Sequence, residues 1–257
     1  MVPITEAERN SALYKYFELP MVEADPAKYA SVKEPMDPAK AQGPFEMNKL
    51  FDPGYLPGEL GYCRLPGGGA TLANLTDMPG VTPEMFDFWF AWHGVEPMRY
   101  KIWNHDQHYY CKTRNMEKAL DKSLSLKERY WDTVHDVEED CFMGKEKIVI
   151  NFRNPADIGF DPEKLKTFDG TIVCAGNEQS PTIMCHFVRP TATGCELRTR
   201  FWMGYCVKDG KPFQMIPPEV PFPLEPVEAL LRHNIKEFTH LASILPRVYE
   251  EFHKDFV

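Results

Sequence analysis

The longest amphipathic pattern in the chain lies near its C-terminal end, at residues 226–254. Pro226 suits the first position of a helix, and Glu225 and Glu228 suit the positive end of its dipole. Apolar residues then recur at helical spacing, at Val227, Leu230, Leu231, Phe238, Leu241, Ala242 and Leu245. We therefore predict one long helix packed on a sheet, which Pro246 should kink or end.

Most of the remaining chain has the two-residue period of β-strands. Residues 131–143 place His135, Val137 and Glu139 on one parity, while the other parity is acidic and includes Glu138. Because an acidic face should meet water, we predict that Glu139 points inward and Glu138 outward. Further strands are predicted at 61–65, 70–76, 99–104, 147–152, 171–175, 182–189 and 195–207, with a helix at 85–92 and a polar connector at 123–129.

Consecutive strands joined by short turns indicate an antiparallel sheet, so the predicted fold class is α+β. A curved antiparallel sheet that ends in a long helix favours a helix-grip architecture, with a cavity between helix and sheet. Residues 1–58 contain short helical patterns broken by proline, including Asp25-Pro26 and Asp37-Pro38. We predict that 1–58 form a helical extension packed on the main domain at 59–257.

Composition excludes several classes of partner. With 29 basic and 38 acidic residues the net charge is −9, which would repel a nucleic-acid backbone or an anionic membrane surface. The chain has no apolar run long enough to span a membrane and no apolar signal core near Met1. Seven cysteines without a CxxC pair favour reduced thiols. We expect a cytoplasmic protein.

Candidate metal ligands are carried by the C-terminal helix and by two of the strands. His233 and Glu237 are four residues apart, so both side chains emerge on the same side of the helix and can reach one ion. His108 and Glu139 could complete a set of imidazole and carboxylate ligands of the kind that zinc takes in enzymes. The same residues are also compatible with an ordinary helix-surface pair, a solvent-facing histidine and a solvated glutamate.

A resemblance decides between these interpretations. RYKIW at 99–103, followed by His108 and then by the helical His233 and Glu237, resembles the phloretin hydrolase and 2,4-diacetylphloroglucinol hydrolase family from about residue 57 to the C-terminus. The segments MVP at 1–3, ADP at 24–26, PEM at 83–85 and WFAWH at 89–93 are most similar to the phloretin hydrolase branch.

The resemblance implies a Bet v 1-like fold, one zinc ion per chain and hydrolysis of the carbon–carbon bond between an acyl group and a phloroglucinol ring. It also implies metal ligation by His108, Glu139, His233 and Glu237. Where the family tends to have a proline two residues after the tryptophan, this chain has His105, which could compete with His108. Glu138 is the corresponding alternative to Glu139, and the alternation described above favours Glu139.

Three further residues are candidates for the chemistry of this reaction. Expulsion of a ring carbon requires a proton donor, and His186 is the preferred candidate because imidazole can donate a proton near neutral pH. Tyr100 could hydrogen-bond the ring hydroxyl or carbonyl oxygen of the substrate. Tyr205 shares its parity with Phe201 and Met203 and could also face the cavity.

Two other functions remain compatible with the sequence. One is a helix-grip carrier that binds an aromatic polyketide without metal, and the other is a non-haem iron oxygenase, because two histidines and a carboxylate also suit Fe(II). In each case the expected partner is a small aromatic molecule, an aryl ketone for the hydrolase. The sequence does not determine the acyl-chain length or the oligomeric state, and a homodimer is one option that it leaves open.

Overall fold

An eight-stranded antiparallel sheet forms the centre of the protein, which a computed structural model describes over residues 1–257. Its strands lie in the order β1-β2-β8-β7-β6-β5-β4-β3. Their bounds are β1 Gly61–Arg64, β2 Ala70–Pro79, β3 His108–Thr113, β4 Val134–Asp140, β5 Lys145–Arg153, β6 Thr171–Ala175, β7 Thr182–Thr191 and β8 Gly194–Met203. A separate hairpin pairs β9 Tyr205–Lys208 with β10 Lys211–Gln214.

Nine helices accompany the sheet. They are α1 Glu6–Arg9, α2 Tyr14–Phe17, α3 Pro26–Ser31, α4 Pro83–Trp92, α5 Pro97–Lys101, α6 Met116–Leu120, α7 Leu126–Tyr130, α8 Pro162–Thr167 and α9 Glu225–Phe256, with 3₁₀ turns at Pro38–Lys40, Pro44–Phe51, His93–Val95 and Pro155–Ile158. None of these helices combines the length and the hydrophobicity needed to span a lipid bilayer.

Helix α9 is the predicted long C-terminal helix, and it packs on β2 and α4. Its buried face includes Phe238, Leu241 and Leu245, as the apolar spacing indicated. The helix continues past Pro246, so the expectation that Pro246 could end it is wrong. Proline cannot donate a backbone hydrogen bond, and burial of Leu245 and Val248 on either side of Pro246 offsets the loss of that bond. The α+β helix-grip class is confirmed.

Both faces of the sheet are covered. Val173 and Val188 belong to the apolar core beneath α4 and α9, whereas Cys174 and Phe187, one residue away in each strand, belong to a second core on the opposite face. That second core is closed partly by Leu50 of the N-terminal segment. Because alternate side chains of a strand point to opposite faces, one sheet can serve both cores.

A buried ion network fastens the N-terminal segment to the outer face of the sheet. Glu59 accepts hydrogen bonds from Arg198 at 2.5 Å and from Arg200 at 2.6 Å, and Arg198 also donates to the backbone oxygen of Leu50 at 2.8 Å. Burial by itself raises the pKa of Glu59, but the two guanidinium groups outweigh it and lower that pKa to about 2. The carboxylate is therefore ionised at neutral pH.

Two local predictions are wrong. Residues 99–104 are not a strand, because Pro97 starts helix α5, and in the turn that follows this helix the backbone N–H of Trp103 donates to the backbone oxygen of Tyr100 at 3.1 Å. The connector at 123–129 also contains a helix, α7, which begins with a reciprocal capping box between Ser125 and Glu128. The predicted strands at 61–65 and 70–76, which pair with each other as β1 and β2, and the predicted helix at 85–92 are confirmed.

Candidate active site

A cavity of about 370 Å³ opens between the sheet and α9, within the size range of small-molecule sites. Met143, Glu146 and Val149 are exposed at its mouth, whereas Cys111 and His135 are buried at its inner end. The cavity therefore leads from solvent into the interior of the protein.

The four residues predicted as metal ligands converge beside this cavity. Nε2 of His108 lies 3.3 Å from Nε2 of His233 and 3.6 Å from Oε2 of Glu237. Nε2 of His233 lies 3.8 Å from Oε2 of Glu237 and 3.9 Å from Oε2 of Glu139. Two ligand atoms that each lie about 2.1 Å from one tetrahedral zinc ion are separated by about 3.4 Å. His108, His233 and Glu237 thus lie close to the spacing that a single ion requires, and Glu139 adjoins this group at His233.

Local structure explains how each ligand reaches this point. His108 is the first residue of β3 and pairs directly with Glu139 of β4, while His233 and Glu237 project from successive turns of α9. Glu138 faces outward, where it forms ion pairs with lysines at the start of β5. The outward position of Glu138 agrees with the alternation in residues 131–143.

The hydrogen bonds of the two histidines fix which ring nitrogens carry protons. Nδ1 of His108 bonds to the backbone oxygen of Tyr100 at 3.2 Å, and Nδ1 of His233 bonds to Oε1 of Gln107 at 3.2 Å. Both partners are acceptors only, so each Nδ1 must carry the proton and each Nε2 presents a bare lone pair. Two bare lone pairs 3.3 Å apart repel each other unless a cation lies between them.

The carboxylates lead to the same conclusion. Burial, and then repulsion by Glu139, raise the pKa of Glu237 well above its ordinary range. Asn234 donates to Oε1 of Glu237 at 3.1 Å, and Cys141 donates to Oε1 of Glu139 at 3.3 Å. Two buried carboxylates with only neutral donors around them are costly without a positive charge. The residues present therefore fit a divalent cation.

Tyr100 supports this cluster from α5. Its ring stacks on the ring of His108, with centroids 3.8 Å apart, and its hydroxyl donates to Oε2 of Glu139. Burial, and then the charge of Glu139, raise the pKa of Tyr100 well above its ordinary range, so the phenol is protonated at neutral pH. Tyr100 belongs to α5 and His108 to β3, and the turn between these two elements brings the rings together.

His186 lies in the cavity wall on β7, among the rings of Phe90, Phe201 and Phe238. Its Nδ1 lies 3.0 Å from the hydroxyl oxygen of Thr199. Burial lowers the pKa of His186 to about 3, so its imidazole is neutral at physiological pH. Its role as proton donor stays a prediction.

Two other candidates lie outside the cavity. Tyr205 packs in the second core against Phe45, because Gly204, with a φ of 86°, interrupts the strand and breaks the parity with Phe201. His105 bonds through Nε2 to the backbone oxygen of Leu19 at 3.1 Å and does not approach the ligand cluster. His108, and not His105, therefore lies beside His233 and Glu237.

A second polar cluster in the cavity was not anticipated. His93, Cys111 and His135 each offer a nitrogen or sulfur atom, and these atoms lie within 4.8 Å of one another. The alternation of β4 had placed His135 on the same inward face as Glu139. No pattern in the sequence, however, indicated that the end of α4 would bring His93 to the same place.

Comparison with known proteins now places the chain in a family. Residues 44–250 match the family model described as the DAPG hydrolase PhiG domain. A phloretin hydrolase of Eubacterium ramulus is 35% identical over 261 residues, covering 97% of this chain and 93% of that protein. A 2,4-diacetylphloroglucinol hydrolase of Pseudomonas protegens is 27% identical over 301 residues, covering 97% and 95% respectively.

These matches extend over nearly the whole chain and confirm the resemblance that the sequence motifs indicated. The chain belongs to the DAPG hydrolase PhiG domain family.

Proposed function

We propose that this protein hydrolyses the carbon–carbon bond between an acyl group and a phloroglucinol ring, with one zinc ion held by His108, Glu139, His233 and Glu237. The observation that carries the proposal is the pair of bare imidazole nitrogens that face each other beside two buried carboxylates, at the wall of a cavity open to solvent. The names of the two relatives, a phloretin hydrolase and a 2,4-diacetylphloroglucinol hydrolase, suggest the class of substrate.

The overall reaction balances with water as the only co-reactant. The oxygen of water joins the acyl carbon, the bond from that carbon to the ring breaks, and the ring carbon takes up a proton. The products are a carboxylic acid and the free polyhydroxylated ring. A divalent ion in such a site lowers the pKa of a bound water and polarises a carbonyl oxygen.

The protein side chains have distinct tasks in this scheme. Tyr100 holds Glu139 through its hydroxyl, and Asn234 holds Glu237, so both carboxylates are oriented before substrate enters. Gln107 fixes the tautomer of His233 through Nδ1. Enclosure of the inner cavity excludes bulk water from the reacting carbon.

His186 is proposed to hold an oxygen of the substrate ring and to assist protonation of the ring carbon. Since its imidazole is neutral, it would act through an N–H group or through an exchange of protons with a ring hydroxyl, not as a standing imidazolium. Two aromatic side chains that line the cavity beside His186, Phe90 and Phe201, provide faces against which a substrate ring can stack.

The test is incubation of the purified protein with phloretin, with chromatographic measurement of the products. Phloroglucinol and phloretic acid should form in equal amounts. Their formation should stop when the protein is treated with a chelator and resume when zinc is added. Binding of phloretin without product would instead indicate a carrier. Turnover that stops when oxygen is removed would indicate an oxygenase, and either result would refute the proposal.

A carrier without metal is disfavoured by the chemistry of the site. It would leave Glu139 and Glu237 buried together with no cation, and the bare nitrogens of His108 and His233 directed at each other. An arrangement of this kind lowers stability, and an apolar ligand gains nothing from it.

A further inference from the structure

The inner end of the cavity carries a group of polar side chains for which the proposed reaction has no use. His93, Cys111 and His135 come from the end of α4, from β3 and from β4, and all three are nearly inaccessible to solvent. They line the cavity one aromatic ring beyond the metal cluster, since the ring of Tyr100 lies 5.9 Å from that of His93 and 3.8 Å from that of His108.

Hydrogen bonds again fix the proton positions. Nδ1 of His93 bonds to the backbone oxygen of Trp89 at 2.9 Å, so it carries the proton and leaves Nε2 as a bare acceptor without a partner in the protein. The hydroxyl of Thr133 donates to the backbone oxygen of Tyr130 at 2.6 Å and therefore accepts from Nε2 of His135 at 3.3 Å.

Nδ1 of His135 is consequently also an acceptor, and its partner is the thiol of Cys111 at 3.7 Å. A thiol is a weak donor. Burial lowers the pKa of His93 to about 4, lowers that of His135 and raises that of Cys111, so all three groups stay neutral at physiological pH. The cluster thus offers two acceptors. Nε2 of His93 has no donor, and Nδ1 of His135 has only the weak thiol donor of Cys111.

The two rings are held in place by tight packing. The ring of His135 lies against the backbone of Gly94, where an added Cβ would overlap it, and it packs edge to face on Phe152 at 4.8 Å. The ring of His93 is parallel to that of Trp89, at 6.1 Å. Fixed acceptors of this kind discriminate well between ligands that have or lack a matching donor.

We infer that His93 and His135 bind a hydroxyl group on the aromatic ring of the substrate, so that the ring enters the cavity first and the acyl chain points toward the mouth. The inference rests on the proposed function and adds the direction of binding. With the ketone at the metal cluster, the hydroxyl opposite the acyl group across the ring points to the inner end. The wall nearer the mouth is mainly apolar, including Val149, Met203 and Leu230, and suits the acyl chain.

The test compares two ketones that share one acyl chain but carry a 2,4,6-trihydroxyphenyl or a 2,6-dihydroxyphenyl ring. The ratio of their kcat/KM values is measured for the parent protein and for His93→Leu, His93→Gln and His135→Leu. Because the intrinsic reactivity of each ketone is the same with every protein, the change in this ratio isolates recognition of the 4-hydroxyl group.

We expect both leucine variants to lower the preference for the trihydroxy ketone by about 10-fold, the usual effect of one hydrogen bond to a buried group. His93→Gln, which keeps an acceptor, should restore part of it. A matched control is His240→Leu, since His240 is equally buried but lies outside the cavity and should leave the ratio unchanged. Parent-like ratios in both leucine variants, or a second metal ion per chain that His93→Leu removes, would overturn the inference.

A binding measurement separates this inference from the proposed function. Calorimetry with phloroglucinol requires no turnover. If the parent protein cleaves no aryl ketone, the proposed function fails, yet a loss of phloroglucinol affinity in His93→Leu and His135→Leu, but not in His240→Leu, would still support the subsite. Parent-like phloroglucinol affinity in both variants of the subsite would refute it.

Discussion

Exchange of Glu139 for glutamine tests the ligand assignment with a nearly isosteric change. In the parent protein Oε2 of Glu139 accepts from Tyr100 and lies 3.9 Å from Nε2 of His233. Glutamine can still accept the bond from Tyr100 but brings no negative charge to the metal. Glu138→Gln is the matched control, because Glu138 is the neighbouring residue and faces outward toward Lys145 at 2.6 Å.

The magnitude follows from what each carboxylate touches. Loss of residues that only orient a ligand typically costs 10- to 100-fold in metal affinity, so loss of a ligand itself should cost at least about 100-fold, or about 2.7 kcal/mol. We expect kcat/KM to fall by a similar factor. The ion pair of Glu138 is partly exposed and is worth at most about 1 kcal/mol to stability, so Glu138→Gln should keep metal affinity and activity within about 2-fold.

The assay is zinc titration against a competing chelator, combined with phloretin hydrolysis. A thermal melt of the metal-free proteins adds a result of opposite sign, because Glu139→Gln removes the charge that raises the pKa of Glu237. The melting temperature of the metal-free variant should therefore be no lower than that of the metal-free parent, although the variant binds zinc less tightly. Equal zinc affinity in Glu139→Gln and the parent, or a larger loss in Glu138→Gln, would refute the reasoning.

Three further predictions concern the proton donor, the substrate and the N-terminal attachment. His186→Ala should lower kcat by roughly 10²- to 10⁴-fold with unchanged metal content, and a near-parental kcat would make His186 a structural residue. Phloretin should be preferred over acetylphloroglucinols, and a ten-fold preference in the other direction, about 1.4 kcal/mol, would contradict this. Glu59→Gln should destabilise the protein by about 3 kcal/mol at neutral pH, because it leaves Arg198 and Arg200 without their buried partner. Since the pKa of Glu59 is lower in the folded protein than its ordinary value of 4.5, this difference in chemical denaturation should shrink as the pH falls from 4.5 toward 2, and a constant difference would exclude the network as its source.

The elements that sequence reasoning predicted well each have one regular period. Helix α9 has an apolar stripe over its length, and β4 alternates so clearly that the inward direction of Glu139 could be predicted before its partners were known. Helical spacing placed His233 and Glu237 on one side of the helix, and the family resemblance selected them as ligands. The pairing of His108 with Glu139 could not be predicted from spacing, because strand register depends on contacts between distant segments.

The misplaced residues lie where local signals conflict or where tertiary contacts decide. Residues 99–104 alternate in the manner of a strand, but Pro97 starts a helix at this point. Tyr205 follows a glycine with positive φ, which shifts the parity of all residues after it. His93 reaches the inner end of the cavity only because α4 packs beneath the sheet, and the order of residues along the chain does not reveal that contact.

The central claim is that His108, Glu139, His233 and Glu237 hold one divalent ion. The most direct measurement is the molar ratio of metal to protein in the purified parent protein and in His233→Ala. Elemental mass spectrometry gives the amount of metal, and an independent assay gives the protein concentration. The account predicts one zinc ion per chain in the parent protein and almost none in the variant. Circular dichroism should show that both proteins are folded. One ion per chain in both proteins would contradict it.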